Sequence, residues 1–243
     1  MIRSKIILFG DSITEDSFQF GGWGASLAQH FCRTADVVLR GYSGYNTRWA
    51  LKVLDRVFPT SPAGDGGNET APMAVIVFFG ANDACLPDRC SAFQHVPLHE
   101  YKQNLNSIVS FFKKKWPTTL VILITPPPID DDARLRYPYV PNPQGLPERT
   151  NEAAGEYARA CIAVAGECGI PVIDLWTRMQ QFTSDWKTTL LSDGLHLTHD
   201  GNHVVYEEVI GKLRNEGLSV EALPDDLPLI TDIDPNDPLK AFM

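Results

Sequence analysis

No stretch of this 243-residue chain approaches the roughly 20 consecutive apolar residues that a membrane-spanning helix requires. Basic residues are the minority, 21 against 30 acidic, and a formal net charge of -9 argues against a surface built for phosphate backbones or anionic lipid. The five cysteines (Cys32, Cys85, Cys90, Cys161, Cys168) are odd in number and form no tight C-x-x-C pair, which speaks against both a disulfide framework and a zinc ribbon. The apolar run in MIRSKIILFGDS is too short for a secretory signal and lacks a small-residue cleavage site, so the expected location is cytoplasmic. In that compartment Cys85 and Cys90 are expected as unpaired thiols rather than a disulfide. Internal repeats and linkers are missing, and so is the G-x-S-x-G pentapeptide that marks the nucleophile elbow of α/β-hydrolases.

What is present is an alternation. Near-continuous apolar runs at Lys5–Phe9, Val37–Arg40, Met73–Phe79, Thr119–Ile124 and Val172–Asp174 read as strands buried on both faces of a parallel sheet. Helical patterns lie between and after them, at Trp23–Arg33, Arg48–Val57, Leu98–Trp116, Leu146–Cys168 and Asp200–Asn215. The Lys113-Lys114-Lys115 run closes one of these, where cations complement the helix dipole. Strand–helix alternation implies right-handed crossovers and one three-layer α/β domain, spanning residues 1–222. Two irregular segments interrupt it. The Gly-rich stretch 59–72 precedes a strand and reads as a loop remote from the chemistry. The Pro-rich stretch 126–147 follows a strand and exceeds the ~12–15 residues usual for a structureless connection. It reads either as a wall of a site, since ligands bind beyond the carboxyl ends of such strands, or as a stiffened surface excursion.

The chemistry-bearing residues gather just past strand ends. LFGDSITE carries Ser12, GYSGYNT carries Gly44, FGANDA carries Asn82, and LSDGLHLTHDGN carries Asp193 and His196. Together they supply a hydroxyl, a base, a carboxylate to hold that base, and donors for an oxyanion. A serine hydroxyl needs an adjacent base to act as a nucleophile. His196 can take the proton if Asp193 holds its other ring nitrogen. The N–H groups of Ser12 and Gly44 and the side-chain amide of Asn82 are candidate oxyanion donors. Each piece alone is an ordinary turn or helix cap; four independent loops with complementary roles are not.

These blocks, in this order, resemble the SGNH (GDSL-type) hydrolase family from about Ile6 to Glu207, with GDSI in place of GDSL. GGWGASLAQHF, GYSGYNTRWAL, FFGANDACLPD and ITPPPID are similar to the isoamyl acetate-hydrolysing esterase-like subgroup. DRCSAFQHVPL and the tail LPLITDIDPNDPLKAFM are similar to its plant branch. The resemblance implies a flavodoxin-like α/β/α sandwich with a five-stranded parallel sheet in the order 2-1-3-4-5. It also implies cofactor-free serine esterase activity on short-chain, acetyl-type esters. Longer-chain lipase, thioesterase and carbohydrate O-acetyl esterase activities are alternatives on the same site.

His196, His199, Asp200 and His203 also admit a metal site. Against it, Thr198 or Asp200 reads as a helix cap with His199 before the helix, and a metal would draw His196 away from Asp193. No metal, cofactor, nucleic acid or membrane partner is expected, only a small-molecule ester. Phe18, Phe20, Trp23, Tyr137 and Tyr139 are candidates for an apolar pocket, or equally for core packing. The tail 223–243 is too apolar for free disorder and too proline-rich for a helix. It is expected to lie extended on the domain, at the site rim or at a homodimer contact.

Overall fold

Each strand presents apolar side chains to both of its faces, and this decides the architecture. In the computed structural model, which describes residues 3–59 and 70–242, five strands form one parallel sheet. They are β1 (Ser4–Gly10), β2 (Ala35–Gly41), β3 (Ala74–Phe78), β4 (Leu120–Ile124) and β5 (Val172–Ile173), in the order β2-β1-β3-β4-β5. Alternation along a strand sends successive residues to opposite faces. Ile6 and Leu8 of β1, Ile76 and Phe78 of β3 and Ile122 and Ile124 of β4 therefore join one core layer. Ile7 and Phe9, Val75 and Val77, and Val121 and Leu123 join the other. Phe9 anchors the second layer with edge-on contacts to Phe58, Phe79 and Phe112.

Helices cover both faces. On one side lie α2 (Trp23–His30) and the long C-terminal helix α9 (His199–Asn215); on the other pack α3 (Thr47–Val57), α4 (Leu98–Lys115) and α6 (Asn151–Cys168). Local chemistry sets their ends. Asn46, Thr150 and Thr198 each accept a backbone N–H from the first turn of α3, α6 and α9 respectively. Gly169 closes α6 in the left-handed conformation, with φ 61°. The result is the expected three-layer α/β/α sandwich with strand order 2-1-3-4-5.

Several elements depart from expectation. Helix α6 begins at Asn151 rather than Leu146, because Thr150 caps it. Thr198, not Asp200, caps α9, so His199 is the first helical residue rather than a loop residue before the helix. Short helices α7 (Leu175–Phe182) and α8 (Trp186–Leu190) fill the segment before the last helix. The stretch 126–147 is not structureless: it contains α5 (Asp131–Arg136). Asn151 pins its start, accepting the Ile129 N–H through Oδ1 at 3.1 Å and donating its own N–H to Asp131 Oδ1 at 2.7 Å. Residues 60–69, within the loop expected to be remote from the chemistry, lie outside the described residues.

Leu223 packs on the first core layer, and Asp226 is held between Arg3 and Arg33 at 2.6 and 2.9 Å. Arg3 precedes β1, so this anchor sits at the amino ends of the strands, away from the rim that carries Ser12. Beyond it Leu227, Ile230, Leu239 and Phe242 are exposed and the chain turns twice as short 3₁₀ segments. The tail, expected to lie extended on the domain at the site rim or at a homodimer contact, is held at Asp226 on the side of the sheet away from Ser12. All five cysteines are free thiols. Burial pushes the Cys85 thiol up to about 11. Among the described residues, no helix is long and apolar enough to cross a membrane.

Candidate active site

Strand β1 ends at Gly10, where the chain must pass close to its neighbours: a Cβ there would lie 2.1 Å from Thr14 Oγ1 and 2.5 Å from the Phe78 carbonyl. Asp11 then caps a one-turn helix, α1 (Ser12–Glu15), accepting the Ile13 N–H at 3.0 Å. Ser12 is thus the first helical residue, with its N–H at the positive end of the turn. Ser12 Oγ lies 3.0 Å from His196 Nε2, and His196 Nδ1 lies 2.9 Å from Asp193 Oδ2.

The loop carrying the last two is tightly built. Leu191 and Leu197 form an antiparallel bridge, and the Ser192 N–H donates to the His196 carbonyl at 2.8 Å. Inside this turn Asp193 Oδ1 accepts the N–H groups of Leu195 and His196 at 3.0 and 2.8 Å. Gly194 has φ +90°, and its backbone abuts α5: a Cβ would lie 2.7 Å from the Asp130 carbonyl. Burial opposes charge on Asp193, yet hydrogen bonds from the His196 ring and from the backbone hold its carboxyl well below the ordinary range. Asp193 is therefore ionised, as a carboxylate that stabilises an imidazolium must be.

Gly44 follows β2 with φ +77°, a conformation natural to glycine. The neighbouring Ser43 N–H donates to Glu15 Oε2 at 2.7 Å, which ties this loop to the end of α1. Asn82, after β3, is buried; its Nδ2 donates to the Tyr45 carbonyl at 2.8 Å, and its Oδ1 accepts from Gln94 Nε2 and Arg149 Nη2 at 3.2 and 2.9 Å. With two donors on Oδ1, the amide can stand only one way round. Asn82 also lines the cleft that Ser12 lines. Gln94 also donates to the Gly44 carbonyl at 2.9 Å, so one buried side chain joins both candidate donor loops.

Two clefts meet at His196. One, of about 160 Å³, is lined by Ser12, Gly44, Asn82, Gln94, Arg134, Tyr139, Arg149 and Leu195. The other, of about 220 Å³, is lined by Ile13, Asp16, Gln19, Phe20, Ser192, His199 and Asn202. Of the expected pocket aromatics, Tyr139 and Phe20 each line one cleft, whereas Phe18 and Tyr137 line neither. Trp23 is a correction: it is wholly buried in the core and its Nε1 donates to the Ile13 carbonyl at 3.0 Å. It supports α1 from beneath and lines neither cleft. Among the described residues no group of three or more His, Cys, Asp or Glu side chains is arranged as a set of metal ligands. His203 instead faces Glu207 across 3.9 Å, one helical turn away.

Sequence reasoning missed Gln94, Arg134, Glu148 and Arg149. The three charged residues are buried, and Arg134 Nη1 reaches Asp193 Oδ2 at 3.0 Å. Nothing in their local sequence separates Arg134 from its exposed neighbour Arg136.

Residues 6–209 match the family model described as GDSL-like lipase/acylhydrolase. A GDSL esterase/lipase of Arabidopsis thaliana is 69% identical over 242 residues, covering 100% of this chain and 99% of that protein. A human isoamyl acetate-hydrolyzing esterase 1 homolog is 44% identical over 235 residues, covering 96% of this chain and 89% of its own length. Among solved structures, a lipase/acylhydrolase from Enterococcus faecalis superposes with a TM-score of 0.67 at 24% identity, over 93% of this chain and 100% of that one. At that identity the likeness establishes the fold.

Proposed function

From the premise that the chain belongs to the GDSL-like lipase/acylhydrolase family and is a carboxylic ester hydrolase, we propose that it cleaves short-chain, acetyl-type esters in the cytoplasm through an acyl-enzyme on Ser12. The observation that carries this reading is the continuous hydrogen-bonded line Ser12 Oγ–His196 Nε2–His196 Nδ1–Asp193 Oδ2, at 3.0 and 2.9 Å, opening into a small cleft.

Ser12 Oγ attacks the ester carbonyl while His196 Nε2 takes its proton, and Asp193 stabilises the imidazolium. The carbonyl oxygen becomes an oxyanion facing the Ser12 N–H, the Gly44 N–H and Asn82 Nδ2, donors already oriented before the charge develops. The tetrahedral intermediate collapses, and the alcohol departs with the proton from His196. Water, deprotonated by the same imidazole, then attacks the acyl group, and collapse returns the proton to Ser12. The acyl group occupies the cleft of about 160 Å³ beside Ser12, and the alcohol the cleft of about 220 Å³ beside Phe20 and His199. The first is small, at about 160 Å³, which leaves little room for a long acyl chain.

The test is a panel of p-nitrophenyl esters from acetate to palmitate, with mass spectrometry after treatment with a fluorophosphonate. The expected result is a kcat/KM highest for the shortest acyl groups, one phosphonyl adduct on Ser12, and no turnover in folded Ser12→Ala. A preference for long chains overturns the substrate class. Near-wild-type turnover in Ser12→Ala overturns the mechanism.

A further inference from the structure

Glu148 is wholly buried, and two guanidinium groups converge on its Oε1: Arg134 through Nε and Nη2 at 2.8 and 2.7 Å, and Arg149 through Nη1 at 2.8 Å. Each arginine then turns its remaining donors outward, in opposite directions. Arg134 Nη1 donates to Asp193 Oδ2 at 3.0 Å and to the Asp193 carbonyl at 3.1 Å. Arg149 Nη2 donates to Asn82 Oδ1 at 2.9 Å and to Gln94 Oε1 at 3.0 Å, and its Nε to the Ala81 carbonyl at 3.0 Å. One unbroken chain of charge-assisted hydrogen bonds therefore runs from the carboxylate behind His196 to the amide beside Ser12. Burying such a network is a poor way to gain stability, because desolvation offsets most of the Coulomb attraction and apolar replacements are often as stable. The placement of its two ends is what the fold obtains from it.

We propose that Arg134, Glu148 and Arg149 form a positioning bridge that aims and tunes both halves of the hydrolytic site. The proposal rests on the roles assigned above to Asp193 and Asn82. Arg149 locks the Asn82 amide with its N–H toward the oxyanion and polarises it. Arg134 aims Asp193 and draws off part of its negative charge. Glu148 sets how much, because it competes with Asp193 for the same guanidinium. Two opposite consequences follow. Removing the charge of Arg134 leaves Asp193 a stronger partner for an imidazolium. Removing the charge of Glu148 gives Arg134 more fully to Asp193 and makes it a weaker one.

Other charged and titratable groups face His196 and must be separated from this effect. Asp11 and Asp16 come from the α1 segment, Asp193 from the loop before α9, His199 from the first turn of α9, and Tyr139 and Arg149 from the cleft wall. Asp11 titrates close by, its carboxyl pushed up to about 7 by burial. The experiment therefore follows His196 itself, through the ring signals of 15N-histidine-labelled protein across pH 5 to 9, alongside kcat and KM on p-nitrophenyl acetate. In Arg134→Met the His196 protonation midpoint rises by roughly half to one pH unit, and in Glu148→Gln it falls by a similar amount. Arg134→Met also loses about tenfold or more in kcat with KM held within about threefold, the split expected of a residue that acts only through the transition state. Arg134→Lys, which keeps the charge but not the fork, returns the midpoint to within ~0.2 of wild type while kcat stays depressed. Midpoints that stay fixed, or move the same way in both variants, overturn the proposal. If Glu148→Gln does not fold, the comparison of Arg134→Met with Arg134→Lys decides alone, and coincident midpoints sink it. The ring titration reads out whether or not an ester is cleaved, so a chain that titrates as described yet hydrolyses nothing refutes the esterase mechanism and not the bridge.

Discussion

Two carboxylates at the same rim of the sheet live in opposite states. Asp193, on the turn before α9, is half-buried and has donors on both oxygens: two backbone N–H groups, the His196 ring and the Arg134 guanidinium. Its carboxyl is held well below the usual range. Asp83, on the loop after β3, is fully buried and meets mainly Thr47, whose backbone N–H donates at 3.0 Å and whose hydroxyl donates to Oδ1. Burial pushes Asp83 up to about 7, the Thr47 hydrogen bonds offset only part of this, and the neighbouring carboxyl of Asp11 adds to the rise. Thr47's donors offset only part of the full burial of Asp83, whereas the His196 ring and two backbone N–H groups outweigh the partial burial of Asp193. The difference fits the role proposed for Asp193, and Asp83 instead joins the β3 loop to the start of α3.

The sharpest way to break the comparison is to make both acids into amides. Asp193→Asn puts an N–H donor where His196 and Arg134 both donate, so the imidazole loses the tautomer it needs. The expected loss in kcat is about 10⁴-fold with the fold intact, the size seen when a triad acid becomes an amide. Steady-state kinetics on p-nitrophenyl acetate with a circular dichroism control reads this directly, and a loss under tenfold would remove Asp193 from the mechanism. Asn82→Ala comes next, at about 10²–10³-fold in kcat with little change in KM, as for one oxyanion donor. Asp83→Asn on the same loop should leave kcat within roughly threefold, because Asp83 points to Thr47 rather than to the cleft.

How much of this was legible in the sequence depends on what each residue needs. Ser12, Gly44, Asn82, Asp193 and His196 could be placed because strand ends are marked by apolar runs, and a parallel sheet collects those ends on one rim. The sheet itself was legible for the same reason, whereas the layer each side chain joins came from the structure. Trp23 stayed undecided, because an aromatic soon after a nucleophile reads alike as pocket or core. What decided it was the Ile13 carbonyl waiting for its indole N–H. Arg134 and Glu148 were invisible for a deeper reason. Arg134 turns inward because it meets two acids, Glu148 14 residues further on and Asp193 on another segment altogether. Helix α5, only six residues long, carries no period that would show which of its arginines faces in.

The smallest effect sharpens the contrast most, because it concerns stability and not turnover. A carboxyl raised by folding binds its proton more tightly in the folded than in the unfolded chain. Between the ordinary value of 3.8 and about 7, the folded state therefore carries extra proton on Asp83 and on Asp11. Stability then falls as pH rises through that window and levels off above it. Asp193 acts in the opposite sense and lower down, since its lowered value makes stability rise with pH only up to the ordinary carboxylate range. Above pH 5 it is ionised in both states and contributes no slope. The melting temperature of the wild type should accordingly drop between pH 5 and pH 7.5, and Asp83→Asn should remove roughly 5 °C of that drop. The quantity to compare is the slope rather than the absolute value, because an amide on Thr47 changes the hydrogen bonding at every pH alike. Parallel melting curves for wild type and Asp83→Asn across this range would mean that Asp83 is ionised in its pocket, and that Thr47 alone compensates a buried charge.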